Sequence, residues 1–495
     1  LRDRDKLVSM ATVELARNVY DYERSTSVGV ELFQRGLDWW GSAVASSLRV
    51  TPLDGPDGPI ELGRVDLPRA AQSLLVHGSL AVAIQSWDAC GGGWASSDVA
   101  GEKGGGCTGG RAGVTVVSLA DTAHPAVVAD LDLPAPELPT DQNVSAWSYW
   151  QTRYGTPLGG WQGGSAALDL GGGRFGLIRS TSVSCWGDSK APCITAGIEP
   201  TGYDGGDGHF YYSGYRTEAA LAVIDLSTPT SPRILGPFAL DGAPEGSFVA
   251  DRTLVYSYSV ASRTDEGGLG WARYYMGRLR LSETGDVTSL PAINVPGVVV
   301  ALVDDGETAL TLDPQWVPTE SGDGYVLELW MNALAVADDH AIRTSKLKLG
   351  AQMATFTGAG KRAYAVEGGY AGIVGRGGVE TGGVATTDVP VGGGYEQPKS
   401  TLSAIDISDR NNLRIVGSQT LGEGWWSIAA VAAGELILSG GYYGGLALFD
   451  LAAPDMPAFR TFVRTQGWTN DITAGDGVLY LSSGPYGVQV VPLAE

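Results

Sequence analysis

Four histidines, His77, His124, His209 and His340, lie far apart in the 495-residue sequence. No HExxH, GxSxG or CxxC spacing surrounds them, so no familiar metal or triad arrangement is encoded. Each reads as a surface or turn residue. The stretch Tyr203–His209 (YDGGDGH) could offer calcium oxygen ligands from Asp204 and Asp207. It lacks the spaced carboxylates of a full Ca²⁺ loop, and an acidic turn explains the same residues. No other cofactor is implied. Asp225, Asp406 and Asp450 occupy equivalent places in related segments, which points to turn capping ahead of catalysis. Asn143–Ser145 is a lone glycosylation sequon.

The four cysteines form two close pairs, Cys90 with Cys107 and Cys185 with Cys193, in glycine-rich stretches. Their spacing does not suit zinc. Two local disulfides are expected, which fits a secreted, periplasmic or cell-surface protein; four free thiols in a cytosolic protein is the other reading. The chain opens at Leu1 without methionine or a basic-plus-apolar leader; removal of a signal ahead of it would account for this, so the missing leader is no argument for the cytoplasm. The longest apolar runs, such as Val298–Val303, have strand length, and no transmembrane segment is expected. A net charge of −22 argues against nucleic acid as a partner and for an acidic, solvated surface.

The elements that must position these residues are strands. Glycine, at 72 residues, is about twice its usual share of ~7%, without a collagen period, as expected of many tight turns. Three segments align: Val114–Pro134 (VTVVSLADTAHPAVVADLDLP), Leu221–Leu240 (LAVIDLSTPTSPRILGPFAL) and Leu446–Val463 (LALFDLAAPDMPAFRTFV). Leu402–Ser418 keeps the pattern without the prolines. An apolar strand ends in Asp or Ser, a polar turn follows, and a second strand returns: a β-hairpin. A shorter hairpin precedes each, as at Leu74–Ile84 around Gly78 and Phe248–Tyr258 around Asp251. Four antiparallel strands per unit make a propeller blade, with strands A to D from the inside outwards.

The expected fold is therefore all-β: a single β-propeller of about seven four-stranded blades over residues 45–495. Residues 1–44 form an extension, with a short amphipathic helix over Asp5–Tyr22 from Leu7, Ala11, Leu15 and Val19. Trp468–Leu493 supplies only three strands, so an N-terminal strand, Ile60–Leu67, is expected to complete the last blade; eight blades stays open. The hairpins VIDLSTPTSP and LALFDLAAPDMP resemble the LVIVD-type repeats of secreted bacterial β-propeller proteins. The resemblance implies a fold and transfers no catalytic residue.

Strand parity places B–C and D–A connections on one face of the disc. The long insertions Trp87–Ala112, Ser182–Glu218, Ala261–Trp271, Asp313–Asp323 and Glu367–Lys399 are B–C, and Ala135–Gly164 is D–A. All six fall on that face. They carry Trp87, Trp94, Trp147, Trp150, Trp161, Trp186, Tyr211, Tyr212 and Trp316, aromatic residues of the type enriched at interfaces. Small cores beneath the loops themselves explain the same residues. The leading expectation is a non-enzymatic binding or assembly module for a protein or glycan. A hydrolase or lyase with carboxylates and calcium at the channel mouth is the second reading. A structural subunit tethered to a larger assembly through residues 1–44 is the third.

Overall fold

Short β-branched runs joined by tight turns pair with their neighbours in sequence, and the described residues form eight antiparallel sheets. The computed structural model describes residues 18–37, 43–53, 60–86, 112–135, 144–151, 167–204, 210–263, 269–318, 325–350, 355–367, 399–423, 426–432, 434–440, 445–465, 469, 471–475 and 477–493. Blades 1 to 8 span residues 18–66, 73–132, 168–240, 246–295, 298–348, 356–423, 426–464 and 471–492. In every blade strands A to D, or A to C in blade 8, run in chain order outwards.

Burial follows from this stacking. A strand between two neighbouring blades is apolar on both faces: Leu80–Gln85, strand B of blade 2, is buried throughout. Strand D of the same blade, Ala126–Asp132, is half to fully exposed. The strand C–strand D ladders of blades 2 to 7 each carry a register shift near mid-strand. Bulges of this kind sharpen the local twist. In blade 4 the shifted residue is Gly277, where a Cβ would lie 2.2 Å from the Tyr256 ring.

Each seam between adjacent blades holds an apolar cluster. Leu74 and Val30 meet between blades 1 and 2, and Leu177 and Val82 between blades 2 and 3. Leu221 packs with Tyr256 between blades 3 and 4. The series continues around to Leu446 and Leu479 between blades 7 and 8. The last seam joins blade 8 to blade 1 through Val19, Tyr22, Tyr480 and Val488. There Val19 and Gly484 exchange two backbone hydrogen bonds of 3.0 Å, the Thr473 hydroxyl donates to the Tyr22 carbonyl, and Arg24 lies over Tyr480. Strand A of blade 1 thus touches strand A of both blade 2 and blade 8, and the ring closes.

The all-β propeller expectation holds, and two assignments at the N-terminus change. Residues 18–37 are not part of an extension. Asn18–Arg24 and Val28–Leu37 are strands A and B of blade 1, which makes the eighth blade. Of the residues read as a helix from Leu7, Ala11, Leu15 and Val19, the last, Val19, lies in a strand. A bulge between Val19 and Asp21 lets Val19 and Tyr22, three residues apart, both be buried at the seam with blade 8. Residues 1–17, with the rest of the expected helix and tether, lie outside the described residues. The clasp is also corrected. Gly63–Asp66 pairs with Ala43–Pro52 of its own blade, and Ile60 is exposed. Blade 8 shows three strands among the described residues.

The repeated aspartates close their own hairpins. In blade 3, Ser227 donates from Oγ (2.6 Å) and backbone N (3.1 Å) to Asp225, whose other oxygen takes two hydrogen bonds from Arg233. Arg174 completes the set at 3.4 Å. Blade 6 repeats it with Ser408, Arg414 and Arg362 around Asp406. In blade 7, Asp450 accepts the Ala452 N–H at 2.7 Å.

Candidate functional site

Because strands A to D of every blade, or A to C in blade 8, alternate up and down in chain order, B–C and D–A connections emerge on one face, as parity requires. Part of what reads as long loop in the sequence is ladder. Strands B and C are 6 residues each in blade 2 but 14 and 16 in blade 3, 11 and 13 in blade 4, and 11 and 12 in blade 5. The two arms of a B–C insertion are antiparallel from the outset, so a hairpin can lengthen without a new fold.

Blade 3 carries this furthest. Above the disc, strand B (Arg174–Gly187) and strand C (Phe210–Asp225) pair without interruption. Val144–Gln151, from the D–A connection, adds to strand B, and Thr201–Asp204 adds to strand C. The result is an upper four-stranded ladder standing on blade 3. Its two faces differ. On the side toward blade 2, Val144, Val183, Cys185, Cys193, Ala196 and Ile198 form a small core beneath the helix Ala191–Thr195. Cys185 and Cys193 are disulfide-bonded, as expected from their spacing. The pair Cys185→Ser/Cys193→Ser should cost about 2–3 kcal/mol of local stability. Faster amide exchange in residues 183–198, with blades 5 to 7 unchanged, is the measurement that checks it.

On the side toward blade 4, burial alternates strictly: Val183 and Cys185 are buried, while Ser182 and Ser184 are half-exposed and Trp186 is 45% exposed. Across from them on strand C, Thr217 and Ser213 are half-exposed and Tyr215 is 53% exposed. Lower on the same side, Leu221 and Val223 enter the core shared with Tyr256 and Tyr258 of blade 4.

The expected site residues separate on these coordinates. Trp186 is exposed, and Tyr211 and Tyr212 are half-buried, with Lys190 placed 5.4 Å over the Tyr212 ring. Trp150 is corrected. It is 3% exposed, lies in the core between blades 2 and 3, and has the Arg179 guanidinium over its ring. Its position opposite Arg179 turns it toward blade 2, where the core is. Trp147 and Trp316 sit in strands opposite Ser182 and Leu327, and their side chains lie outside the described residues. Trp87, Trp94, Trp161, Cys90, Cys107 and Asp207 lie outside the described residues. Asp204 ends its strand opposite Phe210, its side chain likewise outside. Tyr215 was missed, although its alternation with Ser213 and Thr217 is a strand signal.

Buried acidic groups lie apart from one another around the ring. Burial pushes the Glu245 carboxyl up, against a hydrogen bond from Ser259. Burial also raises Glu367, against the Gly350 N–H at 2.7 Å and the Ser403 hydroxyl at 3.2 Å. Tyr274 is pushed up to about 12 by burial, then by the charges of Glu245 and Asp313. Glu245 precedes blade 4 and Glu367 ends strand B of blade 6, so blade 5 stands between them. At the closing seam, oxygens of Asp21, Glu23 and Asp471 lie within 4.8 Å of one another. Asp21 accepts the backbone N–H of Leu74 at 2.7 Å and of Tyr22 at 2.9 Å.

A closed disc of stacked four-stranded sheets defines a β-propeller. No protein-family model and no curated protein matches the chain. Among solved structures it is similar to Sqt1 from Chaetomium thermophilum, at 10% identity and a TM-score of 0.43, covering 97% of each chain. It is also similar to Hsv2 from Kluyveromyces lactis, at 10% identity and 0.38, covering 91% of this chain and 99% of that one. A functionally unknown protein from Desulfotomaculum acetoxidans shows 9% identity and 0.38, covering 95% and 100%. No helix among the described residues is long and apolar enough to cross a membrane.

Proposed function

We propose that this chain is an extracellular or cell-surface recognition module that works by binding, with the loop-bearing face of the disc as its contact surface. The observation that carries this reading is the one-sided placement of the lengthened B–C hairpins of blades 3, 4 and 5. The opposite face carries tight turns, such as His77–Leu80 and Ala359–Arg362. Surfaces extended on one side of a rigid scaffold are where binding residues concentrate. The Cys185–Cys193 disulfide supports an oxidising setting. Trp186 and Tyr211 supply aromatic surface there.

The test is a photo-reactive residue placed at position 186 on the loop face, compared with one at position 78 on the turn face. With a surface extract of the producing cell, adducts should form from 186 and not from 78. Adducts from 78 alone, or equally from both, would remove the one-sided reading.

A further inference from the structure

Resting on that recognition face, we propose that the side of the upper blade 3 ladder toward blade 4 binds an uncharged glycan chain. The register makes the chemistry uniform. Strand B contributes Ser182, Ser184 and Trp186, and strand C answers with Thr217, Tyr215 and Ser213. The flanking strands keep the pattern, since Trp147 falls opposite Ser182 and Thr201 opposite Ser213. At the upper positions of this face, from Ser182 to Trp186 on strand B and from Ser213 to Thr217 on strand C, and at their register partners Ser145, Trp147 and Thr201, each residue is aromatic or carries a hydroxyl. The ladder has no register shift that would mix the two faces. The charged residues nearby, Arg216 and Glu218, alternate onto the other side, where Lys190 also lies.

Among the described residues, the upper positions of this ladder face carry no charged side chain, which is unusual on a chain of net charge −22 and selects the ligand. An anionic or cationic partner would lose hydration and meet no counter-charge from the upper positions of the ladder itself. An apolar peptide would need aliphatic pockets, and the face offers hydroxyls in their place. Sugars fit both groups. Their hydroxyls donate and accept, as those of Ser, Thr and Tyr do, and their C–H faces lie flat on aromatic rings. Trp186 and Tyr215, each about half exposed, are the two rings placed to stack.

The experiment is calorimetric titration of the intact protein with cellohexaose, chitohexaose, maltohexaose and mannohexaose, with polygalacturonate and heparin as charged counterparts. At least one uncharged oligosaccharide should bind. Trp186→Ala and Tyr215→Ala should each weaken it by about tenfold or more, as loss of a stacked ring does. Lys190→Ala, on the opposite side, should leave affinity within about twofold, and so should raising NaCl to about 0.5 M. Both aromatic side chains are half exposed, so the variants should keep the wild-type unfolding midpoint. Trp186→Phe, which keeps a ring, should restore part of the affinity. The proposal is overturned if no uncharged oligosaccharide binds, if binding survives both alanine variants, or if only the charged polymers bind. Adducts to a protein from position 186, with no response to the four oligosaccharides, would overturn the glycan and leave the recognition face standing. Adducts from position 78 alone would remove both.

Discussion

Replacing Asp225 with alanine should lower the unfolding free energy by about 3 kcal/mol, near the lower end for breaking a buried ion pair. Its side chain is 1% exposed, and the substitution strips Arg174, Arg233 and Ser227 of their shared acceptor. Asp406→Ala removes the equivalent set in blade 6 and should behave alike. Asp450→Ala is the internal control. It loses a single turn hydrogen bond at an exposed site and should cost about 1 kcal/mol or less. Urea unfolding of the three variants checks the order. Equal losses at all three positions would show that the arginines contribute nothing.

The same residues set a pH dependence. Asp406 is held well below the ordinary carboxylate range, first by the Ser408 hydroxyl, then by Arg414 and the Ser408 N–H. Burial pushes Asp225 up, but Ser227, Arg233 and Arg174 together outweigh it. A depressed folded-state pKa means the unfolded chain takes up protons first. The stabilisation is therefore complete above the unfolded value of about 3.9 and is lost as pH falls below it. Between pH 7 and 5 these two groups should contribute no slope.

Tyr22→Ala should cost about 4 kcal/mol, the range for emptying a buried aromatic site. Tyr22 is fully buried at the closing seam, its ring 5.0 Å from that of Tyr480. Among the described residues that seam has four buried apolar residues, whereas the seam between blades 2 and 3 has fifteen. The loss should therefore appear first as opening of the ring. Hydrogen exchange should rise in residues 18–24 and 471–482 before blades 3 to 6 respond. Tyr22→Phe separates packing from polarity. The Tyr22 hydroxyl is buried without a hydrogen-bond partner among the described residues, so its removal should change stability by less than about 1 kcal/mol. A large loss from the phenylalanine variant would mean that the hydroxyl is engaged.

Hairpins with strong local chemistry were legible in the sequence. The turn after Asp225 and the glycine turn at Gly78 lie where the alternation and turn residues put them. Blade 1 was hidden because the i, i+4 spacing of Leu7, Ala11, Leu15 and Val19 ran on into its first strand, where a bulge breaks the alternation that would have marked a strand. Closure was misassigned because strand pairing across the whole chain leaves no local mark: Gly63–Asp66 alternates as well for one partner as for another. The long segment Ser182–Glu218 resembled loop because it is rich in Ser, Gly and Tyr. Register shows that its ends are strand, and only register tells which of its aromatic residues share a side.

Mounting aromatic and hydroxyl groups on a hydrogen-bonded ladder changes what a ligand must spend on arrival. Ser182, Ser184 and Trp186 are held at the fixed repeat of a strand, beside Thr217, Tyr215 and Ser213 at the fixed spacing between strands. Little backbone entropy remains to be lost when a partner settles, so even weak contacts count toward affinity. The pleat thus acts as a ruler: it would favour partners with a regular repeat of their own and discriminate by spacing as much as by composition.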